Sequence, residues 1–259
     1  MSSTATGYYR AGASWLHRRN PTTKLLALFW IILATFLLPP ASLVVIAAAI
    51  GAAAASASLL TPLVRSLRIP LVLLASIVVV NALFFPEGRD VLFAFGPVAV
   101  TREGLTFGLV SAGRIGIIFL ASLLFLFTTL ADDLLEALVA RGVSSRLAFV
   151  VLSAVQMVPR LQARAYAILD AQQARGLPIA GSLRTRVRAL VPLIGPILLG
   201  SLIDVRERTL ALEARSFGAR PRRTAYRIVA DPPVDRWLRV GVIVGLVAVV
   251  AVAVGGVGR

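Results

Sequence analysis

Residues Phe107–Leu130 read FGLVSAGRIGIIFLASLLFLFTTL, an apolar run that holds a single charge, Arg114. A helix needs roughly 20 apolar residues to cross the hydrocarbon of a bilayer, and this run supplies them. Directly after it the chain changes character. Ala131–Arg239 carries seventeen arginines and nine acids, and breaks into helix-length pieces. On the N-terminal side lie three more apolar stretches: Leu25–Leu38 (LLALFWIILATFLL), stopped by Pro39-Pro40, then Ala41–Leu60, then Ile69–Phe85, with Asn81 near its end. A last one, Val240–Val254, follows the arginine-rich segment.

The composition agrees with this reading. Hydrophobic residues make up 58% of the 259 residues, charged residues 15%, and the mean hydropathy is +0.86. A soluble globular chain is about 45–50% apolar and about 25% charged. A soluble enzyme, a disordered chain and a fibrous repeat are thereby excluded. The expectation is an all-α, polytopic membrane protein with about five transmembrane helices. Residues 1–130 form a four-helix membrane region, 131–236 a region of long helices at the membrane face, and 237–259 a final transmembrane helix. Leu25–Leu38 has the length of a signal-peptide core, but the chain turns apolar again at once and no A-x-A site follows, so it reads as a retained helix.

The formal charge of +15 first suggests nucleic acid. Placing each arginine changes that. With five spans, one side holds Met1–Lys24, Thr61–Arg68 and the whole arginine-rich segment; the other holds only Arg89, Arg102 and Arg259. This is the positive-inside pattern, which puts the long segment in the cytoplasm. Two apolar stretches within it, Leu147–Val158 and Ala189–Ile203, are too short to span, and counting them as spans would send Arg160–Arg188 outward. They read as interfacial faces or as packing against the protein's own spans.

There is no Cys, hence no disulfide and no thiolate metal site, and His17 is the only histidine. No phosphate-binding loop and no G-x-S-x-G elbow occur. The chain is expected to bind no cofactor and no metal and to catalyse no reaction. Small residues at helical spacing, Ala47/Gly51/Ala55 and Gly241/Gly245, suit close helix approach. Arg114 inside a span reads as snorkelling, as paired with a carbonyl or Asn81, or as taking part in transport. Asp132–Ala140 is a short amphipathic helix. Ser144 or Ser145 can cap a longer one to Ala174, bent at Pro159; Ser182 can cap a third to Arg215, bent at Pro192 and Pro196. Both long helices close on similar tripeptides, Ala174-Arg175-Gly176 and Ala214-Arg215-Ser216. An Arg there complements the helix dipole. Two such ends in one segment also read as two arginines offered to acidic patches on a partner.

The sequence resembles the transmembrane (T) component of energy-coupling-factor importers, a family of vitamin and metal-ion uptake systems. Leu16-His17-Arg18-Arg19-Asn20-Pro21-Thr22-Thr23-Lys24-Leu25 is similar to the family's L-H-x-x-[DN]-P-x-x-K-L opening. Arg102-Glu103-Gly104-Leu105, with Arg114 beyond, resembles the start of its fourth helix, and Thr128-Thr129 with Asp132-Asp133-Leu134 the approach to its cytoplasmic helices. Val158-Pro159-Arg160-Leu161 and residues 171–176 resemble its first coupling helix; Leu212–Phe217 and Arg223-Thr224 resemble its second. Ser216 stands where the family usually has Gly. The resemblance implies two cytoplasmic ABC-type ATPase subunits, which hold ATP and Mg, docked on Arg175 and Arg215. It also implies a small substrate-binding membrane subunit moving on the apolar faces of the coupling helices. The competing classes are a conventional ABC permease that lines its own path, against which the nearly apolar spans argue, and an integral-membrane enzyme, for which only Asp132, Asp133 and Glu136 come near.

Overall fold

The computed structural model describes residues 9–12, 14–85, 90–95, 98–176, 183–217 and 230–257. Helix α1, Pro21–Leu37, begins where Asn20 Oδ1 accepts the Thr22 N–H at 3.1 Å and Pro21 occupies the first helical position. That position needs no donor, so Asn-Pro is a strong start signal. It ends at Leu38, held extended by the following proline. Helix α2, Ser42–Ser56, buries Leu43, Ile46, Ile50 and Ala54, one face of its 3.6-residue period.

At the end of α2 the structure departs from expectation. Ser58 takes a left-handed φ of 58° and turns the chain, and Thr61–Arg68, expected as a loop, contributes to a short helix α3, Leu60–Ser66. Helix α4, Leu71–Phe84, is bent by 54° from α3. The following connection, also expected as a loop, contains a hairpin: β1, Val91–Phe95, pairs antiparallel with β2, Val98–Thr101. The all-α expectation therefore holds apart from this ribbon.

Helix α5, Arg102–Thr128, starts under a Thr101 cap whose Oγ1 accepts the Gly104 N–H at 3.2 Å. It packs against α4 through Gly104 and Gly108. A Cβ on Gly108 would lie 3.0 Å from Val78 Cα, and one on Gly104 would collide with the Asn81 carbonyl. The tight small-residue seam is thus α4 on α5. By contrast, nothing lies near a Cβ placed on Gly51 or Gly241, although one placed on Gly245 would come within 3.1 Å of Trp30 Nε1.

Helices α6 (Ala131–Val139), α7 (Ser145–Ala174), α8 (Leu183–Ala214) and α9 (Pro233–Val257) complete the chain. Helix α9 starts seven residues before the expected Val240. Ser144 occupies the α7 cap position without a side-chain cap bond, and Ser182 lies outside the described residues.

The chain divides into two units, residues 1–137 with 229–259, and residues 138–228. The first unit has a core of Ala34, Ile46, Ile50, Leu63, Ile117 and Phe127, contributed by α1, α2, α3 and α5. In the described residues α5 alone is a continuous helix long and apolar enough to cross a membrane; the bent α3–α4 pair passes jointly, and α1 and α2 are shorter apolar helices of 17 and 15 residues. At 1.5 Å per residue α1 reaches about 26 Å, just under the ~30 Å hydrocarbon thickness.

Candidate functional site

The second unit presents the two tripeptides at the ends of its long helices. Helix α7 closes at Ala174, Arg175 is its C-cap, and Gly176 takes φ 87°, its N–H donating to the Gln173 carbonyl at 2.9 Å. Helix α8 closes the same way without glycine. Ser216 takes φ 52°, its N–H donates to Glu213 O at 2.9 Å, and the Phe217 N–H reaches Leu212 O at 2.9 Å. This pair of bonds is a complete Schellman closure. Ser216 in place of a glycine therefore leaves the helix end intact and costs about 1 kcal/mol of left-handed strain. Arg175 and Arg215 are both exposed, each one residue before the reversal.

Helices α7 and α8 cross antiparallel. Phe149, near the start of α7, meets Phe217 beyond the end of α8, with ring centroids 4.7 Å apart and the ring planes tilted by 51°. Further along, Arg164 Nη1 meets Asp204 Oδ2 at 3.0 Å, and its guanidinium lies on Gly200, where a Cβ would come within 2.7 Å of Nη1. Arg215 therefore sits beside the start of α7, and Arg175 terminates its far end. The Phe149-to-Arg175 separation corresponds to about 40 Å of helix axis. Pro159 lies inside α7, and Pro192 and Pro196 inside α8; each lacks the N–H that would bond the preceding turn.

The apolar faces of the same helices are open. Leu147 (63%), Val150 (62%), Leu199 (64%) and Leu202 (64%) are well exposed, so these stretches are not consumed by packing between α7 and α8. Apolar exposure on this scale marks an interaction surface or a lipid contact.

The first unit holds a polar cluster that sequence reasoning missed. Asp235, in the first turn of α9, is fully buried; it accepts the Asn20 N–H at 3.0 Å and pairs with Arg19 at 3.6 Å. Asn20 Nδ2 donates to Ala230 O at 3.2 Å, and Arg239 forks onto Asp231 at 2.7 and 2.9 Å while also reaching Thr23 Oγ1 at 3.2 Å. Lys24 Nζ donates to the Thr128 carbonyl at 2.7 Å, and the Arg10 N–H to the Phe127 carbonyl at 3.0 Å. The start of α1, the end of α5 and the start of α9 are thereby tied at one level. The Asn-Pro-x-x-Lys opening is the half of this clamp that the sequence displays; its acid, Asp235, stands 215 residues away in the first turn of α9.

Arg114 does not meet Asn81. Its guanidinium lies 5.8 Å from the Phe36 ring centroid, near the end of α1, and its Nε is buried without a hydrogen-bond partner. Asn81 Nδ2 instead donates to Ile77 O at 2.8 Å within its own helix. Among the described residues no group of three metal-ligating side chains occurs.

Comparison with known proteins adds the family. Residues 12–226 match the cobalt transport protein family. The energy-coupling factor transporter transmembrane protein of Lacticaseibacillus paracasei is 33% identical over 88% of this chain and 90% of its own length; that of Thermosediminibacter oceani is 29% identical over 96% and 97%. A Bifidobacterium longum protein provisionally named an ABC transporter ATP-binding protein is 30% identical over 92% of the chain, which spans only 32% of that relative's length.

Proposed function

The chain belongs to the cobalt transport protein family, as a transmembrane component of an energy-coupling factor transporter, and from that premise we propose that it links two cytoplasmic ABC-type ATPase subunits to a small substrate-binding membrane subunit. The observation that carries this reading is the pair of exposed arginines, each at a helix end closed by a left-handed residue, at opposite ends of the crossed α7–α8 pair. Two separated, similar ends suit two similar partners. A charge-assisted pair between each arginine and an acid in an ATPase groove contributes about 1.5–3 kcal/mol once partly desolvated. A relative nearly three times longer that bears an ATP-binding name supports the partnership, because one chain there carries both the matching region and the name.

ATP hydrolysis belongs to the partner subunits. Their closure moves the two helix ends, and the antiparallel pair, fastened at Arg164–Asp204, passes the motion on as a rigid body. The open apolar faces of α7 and α8 carry the membrane subunit. Five spans follow, α1, α2, the bent α3–α4, α5 and the apolar part of α9. The clamp supports this count: α1 enters, α5 returns and α9 leaves from one level, which is the parity five spans require. That level is cytoplasmic by the positive-inside pattern.

Arg175→Glu and Arg215→Glu are expected each to reduce co-purification of the ATPases from detergent, and together to abolish it, with membrane insertion unchanged. Full retention in the double variant overturns the docking role. The Cys-free chain also allows topology to be read: with Asp170→Cys and Asp90→Cys, an impermeant thiol reagent applied outside is expected to label position 90 alone.

A further inference from the structure

Where α7 and α8 cross, they enclose a cleft of about 310 Å³ lined by Met157, Arg160, Leu161, Arg164, Asp204, Glu207 and Arg208. Its charges are unevenly used. Arg164 is anchored: its Nη2 donates to Asp204 Oδ1 at 3.2 Å and it sits on Gly200, while its Nη1 lies 3.0 Å from Asp204 Oδ2 without a hydrogen bond of its own. Arg160 lies one turn before it on α7, and Arg208 one turn beyond Asp204 on α8, so both point their helix faces toward the same cleft. Neither forms an ion pair or hydrogen bond among the described residues, and nor does Glu207, the one acid left unmatched. Two free guanidiniums beside an anchored third form a fork-like donor set, the kind that suits phosphate oxygens.

We propose that this cleft binds a phosphate group, with Arg160 and Arg208 as its ligands and Arg164, fixed by Asp204, as the positioning residue between the helices. The chemistry fits the headgroup phosphate of an anionic phospholipid, and equally a soluble phosphate. The first source rests on the reading that α7 and α8 lie along the cytoplasmic membrane face, where such headgroups are concentrated and Met157 and Leu161 can meet the acyl region. A bound phosphate bridging α7 to α8 would tighten the crossing through which motion passes.

The test uses the purified full chain in detergent, titrated with dioleoylphosphatidylglycerol, with dioleoylphosphatidylcholine, or with inorganic phosphate, the bound adducts being counted by native mass spectrometry. Phosphatidylglycerol is expected to bind with saturation, and Arg160→Ala with Arg208→Ala to weaken it about tenfold or more. Glu207→Gln should strengthen binding, because it removes the unmatched negative charge. Arg206→Ala, an exposed arginine of α8 that does not line the cleft, should leave it unchanged. If inorganic phosphate alone shows this pattern, the site stands with a soluble source. If the Arg160/Arg208 variant binds every probe as the parent does, or if Arg206→Ala weakens binding equally, the site is refuted. Unchanged thermal unfolding of the variants excludes misfolding as the cause. ATPase co-purification in the same variants is read separately, so loss of phosphate binding and loss of coupling are distinguishable.

Discussion

The two units of the chain differ in what they bury. The first buries polar groups: Asp235 is fully buried and Asn20 is 3% exposed. Both expose apolar side chains, Ile69 at 80% and Val72 at 78% in the first and Leu199 and Leu202 at 64% in the second, but among the described residues only the first buries a carboxylate. A buried carboxylate needs partners from within, and the clamp supplies them in part: Asp235 Oδ2 accepts the Asn20 N–H, while Oδ1 has only the Arg19 guanidinium at 3.6 Å and no hydrogen bond. An exposed leucine face is tolerable only when lipid or another subunit covers it. The difference teaches that the first unit is fastened through its own polar residues, whereas both units keep apolar surface for lipid or another subunit to cover.

The comparison breaks hardest at Asp235. Asp235→Ala leaves Arg19 and the Asn20 N–H without their acceptor and is expected to destabilise the protein by about 3 kcal/mol, seen as a lowered thermal midpoint in detergent. Next comes the α4–α5 seam, where Gly108→Leu must push against Val78 backbone and is expected to cost about 2 kcal/mol by the same measurement. At the α8 end the sign reverses. Ser216→Gly releases left-handed strain and is expected to stabilise by roughly 0.5–1 kcal/mol, with ATPase association kept. The smallest effect on folding falls on the open face: Leu199→Ser with Leu202→Ser is expected to shift stability by less than about 0.5 kcal/mol per site while weakening capture of the membrane subunit. A large loss of stability there would mean that the face belongs to the chain's own core.

What the sequence made legible was local. The end of α7 at Ala174 follows from Gly176, and Asn20-Pro21 announces the start of α1, because caps act within a turn of the residues that make them. The apolar run marks only Val240–Val254 of α9; the helix starts earlier because Pro233 takes the first helical position and the charged turn with Asp235 is buried against the clamp. The break at Ser58 was invisible, since serine seldom adopts positive φ. The clamp was out of reach for another reason: Asn20 and Asp235 are 215 residues apart, and no periodicity reports a contact at that distance. The paired arginines were legible as a motif. Their placement at opposite ends of one hairpin came only from the contacts of Phe149 with Phe217 and of Arg164 with Asp204.

The most direct measurement of the central claim places single cysteines in the Cys-free chain at Arg175, Arg215 and Leu202, and asks which subunit a short thiol-directed photo-crosslinker captures in the assembled transporter. The account predicts ATPase adducts from Arg175→Cys and Arg215→Cys, and membrane-subunit adducts from Leu202→Cys. ATPase adducts from position 202 with none from 175 or 215 would contradict it.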